Sequence, residues 1–163
     1  MSRKAWLAVL CGLMFAFPVA LRADSGGPGG GSSSMDSPSG KAASEKQVQA
    51  EYEAGYRALK AGDYKKAIKS FEQVVKENPS HALAYSNMGF SYRKLGQYDR
   101  AIPLYEKAIG LNPNLAEAHE YIGEAYLGLG KVSEAEKHLA ILEKLDPKMA
   151  EELRGEIARH KRS

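Results

Sequence analysis

The feature that most constrains this chain is a period. Pro79, Pro113 and Pro147 stand 34 residues apart, and the same shift superposes Gly55, Gly89 and Gly123, then Gly62, Gly96 and Gly130. It carries Ala67 onto Ala101 and Ala135, and Phe71 onto Tyr105 and Leu139. Three copies this regular mean one supersecondary unit repeated, each burying its apolar face against the next. Within a copy the apolar spacing is helical. "AYSNMGFSYRKLG" sets Tyr85, Met88, Gly89 and Tyr92 on one stripe, and "YDRAIPLYEKAIGL" does so with Ala101, Leu104, Tyr105, Ala108 and Ile109. Gly96 ends the first helix where a positive φ is wanted, and a connection of about three residues makes the two helices antiparallel neighbours. Gly89, Ala101 and Ala108 let the pair cross closely, with Tyr92 and Tyr105 filling the space beside the crossing.

The 34-residue spacing with these glycine, alanine and proline columns resembles the tetratricopeptide repeat (TPR) family over Val48 to Met149. The resemblance implies an all-α fold: a right-handed TPR solenoid of three helix-turn-helix repeats (48–81, 82–115 and 116–149) plus a C-terminal capping helix (150–161). Ser44-Glu45-Lys46-Gln47 has capping-box spacing, which sets the start of the first helix, and of the domain (44–161), at Ser44. Ser133 with Glu136 offers a second such box. After Pro147, Met149, Leu153 and Ile157 form one stripe among charges, as a soluble end cap requires. Pro103 falls in the outer helix of the second repeat, where Lys69 and Lys137 stand in the others, so the array does not depend on it.

The first residues are different chemistry. Arg3 and Lys4 precede the apolar run "AWLAVLCGLMFAF", Pro18 breaks it, and small residues follow to Ala23. This is the pattern of a secretory signal peptide over 1–23, and the run is shorter than the roughly 20 residues of a spanning helix. The alternative is an uncleaved inner-membrane anchor. Cleavage after Ala23 would remove Cys11, the sole cysteine, and also Arg3, Lys4 and Arg22, which account for the formal +3 charge. The basic balance therefore gives no argument for nucleic acid. Residues 24–43, "DSGGPGGGSSSMDSPSGKAA", read as a flexible Gly/Ser/Pro linker. Its Gly40-Lys41 is followed by Ala42 where a P-loop needs Ser or Thr.

No catalytic, cofactor or metal constellation emerges. His119-Glu120 begins like a metalloprotease motif without its second histidine, and Glu117, Glu120 and Glu124 read as a solvated helix face. The expectation is no enzyme and no cofactor. In the resembled family the first helix of each pair lines a concave groove. That places Tyr52, Tyr56 and Leu59 from the first repeat, and Leu83, Asn87, Phe90 and Arg93 from the second, as the candidate partner-binding set. Tyr52, Tyr56, Leu83 and Phe90 are large and not required by the packing stripe, so they would anchor a peptide or partner helix. Charges of about +1, +2 and −3 over the three repeats would orient it. TPR domains that grip chaperone C-termini use a carboxylate clamp of Lys, Asn, Asn, Lys and Arg. The matching positions here are Tyr52, Tyr56, Asn87, Glu117 and Tyr121, so that specificity does not carry over.

The expected function is an exported, periplasmic or secreted adaptor that binds a protein or peptide and organises a cell-envelope complex. The alternatives are a membrane-tethered assembly subunit, in which the N-terminal segment stays attached, and a self-associating structural module.

Overall fold

The computed structural model describes residues 38–162, with side chains from 44 onward. The signal-peptide segment and the linker up to residue 37 lie outside the described residues. What is described is all-helical: α1 (Pro38–Lys60), α2 (Tyr64–Glu77), α3 (Ala82–Lys94), α4 (Tyr98–Leu111), α5 (Ala116–Gly128), α6 (Val132–Leu145) and α7 (Pro147–His160). None of these helices is long and apolar enough to cross a membrane.

The turns explain the period. Gly62, Gly96 and Gly130 adopt φ of 77°, 73° and 70°, a left-handed conformation that reverses the chain after α1, α3 and α5. At the other turn, Asn78, Asn112 and Asp146 occupy one column just before its prolines. Each side chain accepts a hydrogen bond from the backbone N–H two residues on, at 3.1, 3.2 and 2.9 Å. Asp146 accepts a second, from Met149 N–H at 3.1 Å, and so caps α7 with Pro147 at its first turn. Two expected caps differ. Helix α1 begins at Pro38, so Ser44 stands inside it, and the linker's last six residues, with Lys41, Ala42 and Ala43, extend the helix. Likewise α6 begins at Val132 with Ser133 already helical and no side-chain cap.

The odd helices α1, α3, α5 and α7 form one layer, each touching the next, while α2, α4 and α6 pack only on the odd helices before and after them. That is the two-layer TPR solenoid, and α7 occupies the position of another first helix rather than lying across the end. The crossings are as close as the glycine column demands. A Cβ added at Gly55 would lie 2.9 Å from the Phe71 ring, and one at Gly89 would lie 2.9 Å from the Tyr105 ring. Both rings are fully buried. At Gly123 the third copy departs from the pattern: the filling atom is Leu153 Cδ2, 2.7 Å from the added Cβ, instead of Leu139. A leucine is shorter than the rings of the other copies, and α7 supplies Leu153 to the vacated space. Leu153 then joins Leu127, Ala135, Leu142, Ala150 and Ile157 in a second core cluster, so α7 is integral to the core.

Pro103 is the sixth residue of α4 and exposed. It lies deeper in the helix than the first turn, so its missing N–H leaves the Asp99 carbonyl without its helical partner. Its ring lines a shallow cleft with Glu72, Met88, Tyr92, Asp99, Arg100 and Leu104 between the outer helices.

Candidate functional site: the odd-helix face

The odd-helix layer presents one continuous surface. On α1, Tyr52 and Tyr56 are stacked with ring centroids 6.4 Å apart. Tyr52 is half-buried, 5.7 Å from Phe71 and 4.8 Å from His81, and its hydroxyl accepts a hydrogen bond from Asn87 Nδ2 at 3.0 Å. Burial pushes the Tyr52 phenol above its ordinary pKa, against the Asn87 bond. Tyr56 remains 41% exposed with Lys60 over its ring at 5.4 Å, and Leu83 on α3 is 45% exposed. Phe90 sits 5.0 Å from Tyr121 and 6.5 Å from Tyr64, with Lys94 5.2 Å and Arg93 5.1 Å from its centroid.

Internal packing thus uses more of this face than the sequence suggests. Tyr52 and Phe90 are partly consumed by ring contacts, and Asn87 is committed to Tyr52. Leu59 is half-buried against the main core. Arg93 is no free basic flank: its Nη2 lies 2.6 Å from Glu124 Oε2, with side chains only 13% and 19% exposed. The contact is ionic rather than a well-aligned hydrogen bond, and Arg93 Nε, the Glu124 Oε2 and the buried Tyr105 hydroxyl have no hydrogen-bond partner among the described residues. Tyr56 and Leu83 are the large apolar side chains that this face leaves in water.

The acidic residues on α5 are not a solvated stripe either. Glu120 is buried, and burial together with Glu124, Glu152 and Glu156 pushes its carboxyl up to about 7, with Arg93 opposing. Burial raises Glu124 as well, with Arg93 pulling the other way. Glu124 shares α5 with Glu120, while Glu152 and Glu156 come from α7.

Two histidines that read singly in the sequence form a pair between α5 and α6. His119 is buried, its Nε2 is 3.0 Å from the Pro113 carbonyl, and its Nδ1 is 3.1 Å from His138 Nδ1. A carbonyl can only accept, so His119 carries its proton on Nε2 and takes one from His138 Nδ1–H. Burial, then His119 and Lys137, hold His138 down to about 4. The unfolded chain binds a proton there near 6.5 that the folded one refuses, so this contribution is present at neutral pH and lost as pH falls from 6.5 towards 4. Glu120 acts oppositely, since its contribution is full below about 4.5 and lost as pH rises through 7. His138→Leu isolates the first effect because Glu120 titrates in both proteins. Urea unfolding should find the variant less stable at pH 7 and the gap narrowed at pH 5. An equal gap at both pH values would contradict the assignment.

Residues 82–115 match the tetratricopeptide repeat family model, and residues 55–96 match a TPR repeat model. Together with the two-layer helical architecture, these matches support the TPR repeat family. No curated protein matches the sequence. Among solved structures, the Arabidopsis OM64 TPR domain superposes with a TM-score of 0.68 at 21% identity, covering 72% of this chain and 98% of that one. The second TPR domain of human RPAP3, solved in complex with the HSP70 peptide SGPTIEEVD, gives 0.66 at 26% identity over 71% and 98%. The first TPR of Spaghetti (RPAP3), bound to the HSP90 peptide SRMEEVD, gives 0.66 at 25% over 72% and 98%.

Proposed function

We propose that this protein is a non-enzymatic adaptor whose concave face holds an extended segment of another protein. The observation that carries the reading is the exposure of Tyr56 and Leu83 on neighbouring helices of that face, beside a tyrosine fixed by Asn87. Apolar anchors on a rigid, pre-formed surface bind without a large ordering cost. The two RPAP3 domains, which share the fold, hold peptides. Peptides selected from a random decapeptide display library on the full chain should lose at least tenfold in affinity for Tyr56→Ala/Leu83→Ala, while the far-ultraviolet circular dichroism stays unchanged. Unaltered affinity in the folded double variant would contradict the groove. Because both residues are exposed, this pair tests the groove without the packing loss that Phe90→Ala would bring.

We also infer export to the periplasm or cell exterior, with a part in organising an envelope complex, from the basic pair, short apolar run and small-residue end of residues 3–23. N-terminal sequencing of protein isolated from its own cells should begin near Asp24. An intact Met1 would favour the membrane-tethered form.

A further inference from the structure

The cleft beside Pro103 combines features that the other repeats lack. It measures about 380 Å³ and opens between α2 and α4, with Met88 and Tyr92 of α3 in its lining. Arg100 is held in place there. Its Nη2 donates to the Tyr92 hydroxyl at 2.6 Å, its Nη1 donates to Gln97 Oε1 at 3.1 Å, and its guanidinium carbon lies 4.0 Å from the centre of the Tyr92 ring. Tyr92 is only 7% exposed, so this support is rigid. Both hydrogen-bond partners are neutral, and among the described residues no carboxylate forms an ion pair with Arg100. A guanidinium has five N–H donors, of which two are spent here. Pro103 adds an acceptor, since the Asp99 carbonyl has lost its helical donor. Glu72 and Asp99 supply negative charge, while Met88, Pro103 and Leu104 supply apolar surface. The 34-residue shift puts Lys66 and Glu134 at Arg100, Lys69 and Lys137 at Pro103, and Ala58 and Tyr126 at Tyr92. Of the three repeats, the second alone assembles guanidinium, phenol and proline.

We propose that this cleft is a binding site for a free α-amino acid with an apolar side chain. Complementarity of both signs selects that occupant. Its carboxylate accepts from the remaining donors of Arg100, and its ammonium donates to the Asp99 carbonyl and the Glu72 carboxylate. Its side chain covers Met88 and Leu104 beside the proline ring. The volume lies in the range of small-ligand sites, roughly 300–1,000 Å³. A longer peptide carries its ammonium and carboxylate at opposite ends and does not present the adjacent pair. The site is therefore separate from the groove on the odd helices and has its own ligand.

Free L-leucine is the probe, added to the full chain and followed by amide chemical shifts. The shifts should centre on Tyr92, Arg100 and Leu104 and saturate in the millimolar range. Leucinamide, which lacks the carboxylate, and N-acetyl-leucine, which lacks the ammonium, should each bind about tenfold more weakly. Arg100→Met keeps the apolar stem and removes the charge, so leucine affinity should fall about tenfold. Pro103→Ala returns a donor to the Asp99 carbonyl, so affinity should fall about fivefold although this variant melts at a higher temperature. Tyr56→Ala/Leu83→Ala should bind leucine as the parent chain does. No saturable shifts at roughly 50 mM leucine would overturn the site. Leucinamide binding as tightly as leucine, or full affinity in Arg100→Met, would overturn it as well. Shifts that centre on Tyr56 and Leu83 would place leucine in the groove and overturn the cleft.

Discussion

Gly89→Leu is expected to abolish the cooperative unfolding transition of the repeat array, or to lower its midpoint by more than about 10 °C. At this crossing even a Cβ would come within 2.9 Å of Tyr105 Cε1. Tyr105 is fully buried, and its ring is stiff, so it cannot swing aside as the end of a flexible chain could. Overpacking of this kind costs about 1–3 kcal/mol or more, and three further carbons press on the same contact. Gly110→Leu is the matching control, because a Cβ on this exposed position of α4 meets nothing within 4 Å. Thermal melts followed by circular dichroism should separate the two variants widely. Equal midpoints would contradict the close-crossing account of the glycine column.

Arg93→Met should destabilise the domain by about 3 kcal/mol at pH 8, since removing one partner of a buried ion pair leaves the other charge uncompensated. Methionine keeps the apolar stem packed, so the loss reports the charge. Glu124 would then stand without its cation, beside Glu120 and within reach of Glu156. The contact of Arg93 with the Phe90 and Tyr121 rings, 5.1 and 5.4 Å from their centroids, would be lost too. Both carboxyls are raised, so acidification protonates them and the penalty should shrink at pH 5. Adding Glu124→Gln should restore part of the stability at pH 8. Denaturant unfolding at the two pH values decides it, and a penalty that is small or independent of pH would contradict the pairing.

The period made the fold legible because its columns are backbone requirements. Gly62, Gly96 and Gly130 are where a left-handed residue must sit, and Gly55 and Gly89 are where two helices touch. What one repeat does to the next was harder to read. Tyr52 reaches Asn87 and Arg93 reaches Glu124 across adjacent first helices, and summing charge by repeat conceals such pairs. The histidine pair left a signal: His119 and His138 stand in the columns of Tyr85 and Leu104, both on packing stripes, so neither position faces water. The raised carboxyl of Glu120 could not be seen this way. It comes first from burial and then from Glu124, with Glu152 and Glu156 added by α7, which lies outside the period. Leu59 shows the same limit: it is half-buried against the main core, because on α1 the inner face borders the core face.

The central claim is that the odd-helix face, and not the outer one, receives a partner segment. Amide chemical-shift mapping of the full chain with a library-selected decapeptide tests it most directly. Shifts should concentrate around Tyr56 on α1, Leu83 and Asn87 on α3, and Tyr121 on α5, leaving the outer surfaces of α2, α4 and α6 unmoved. Shifts centred on the Pro103 cleft or around Ile141 would contradict it.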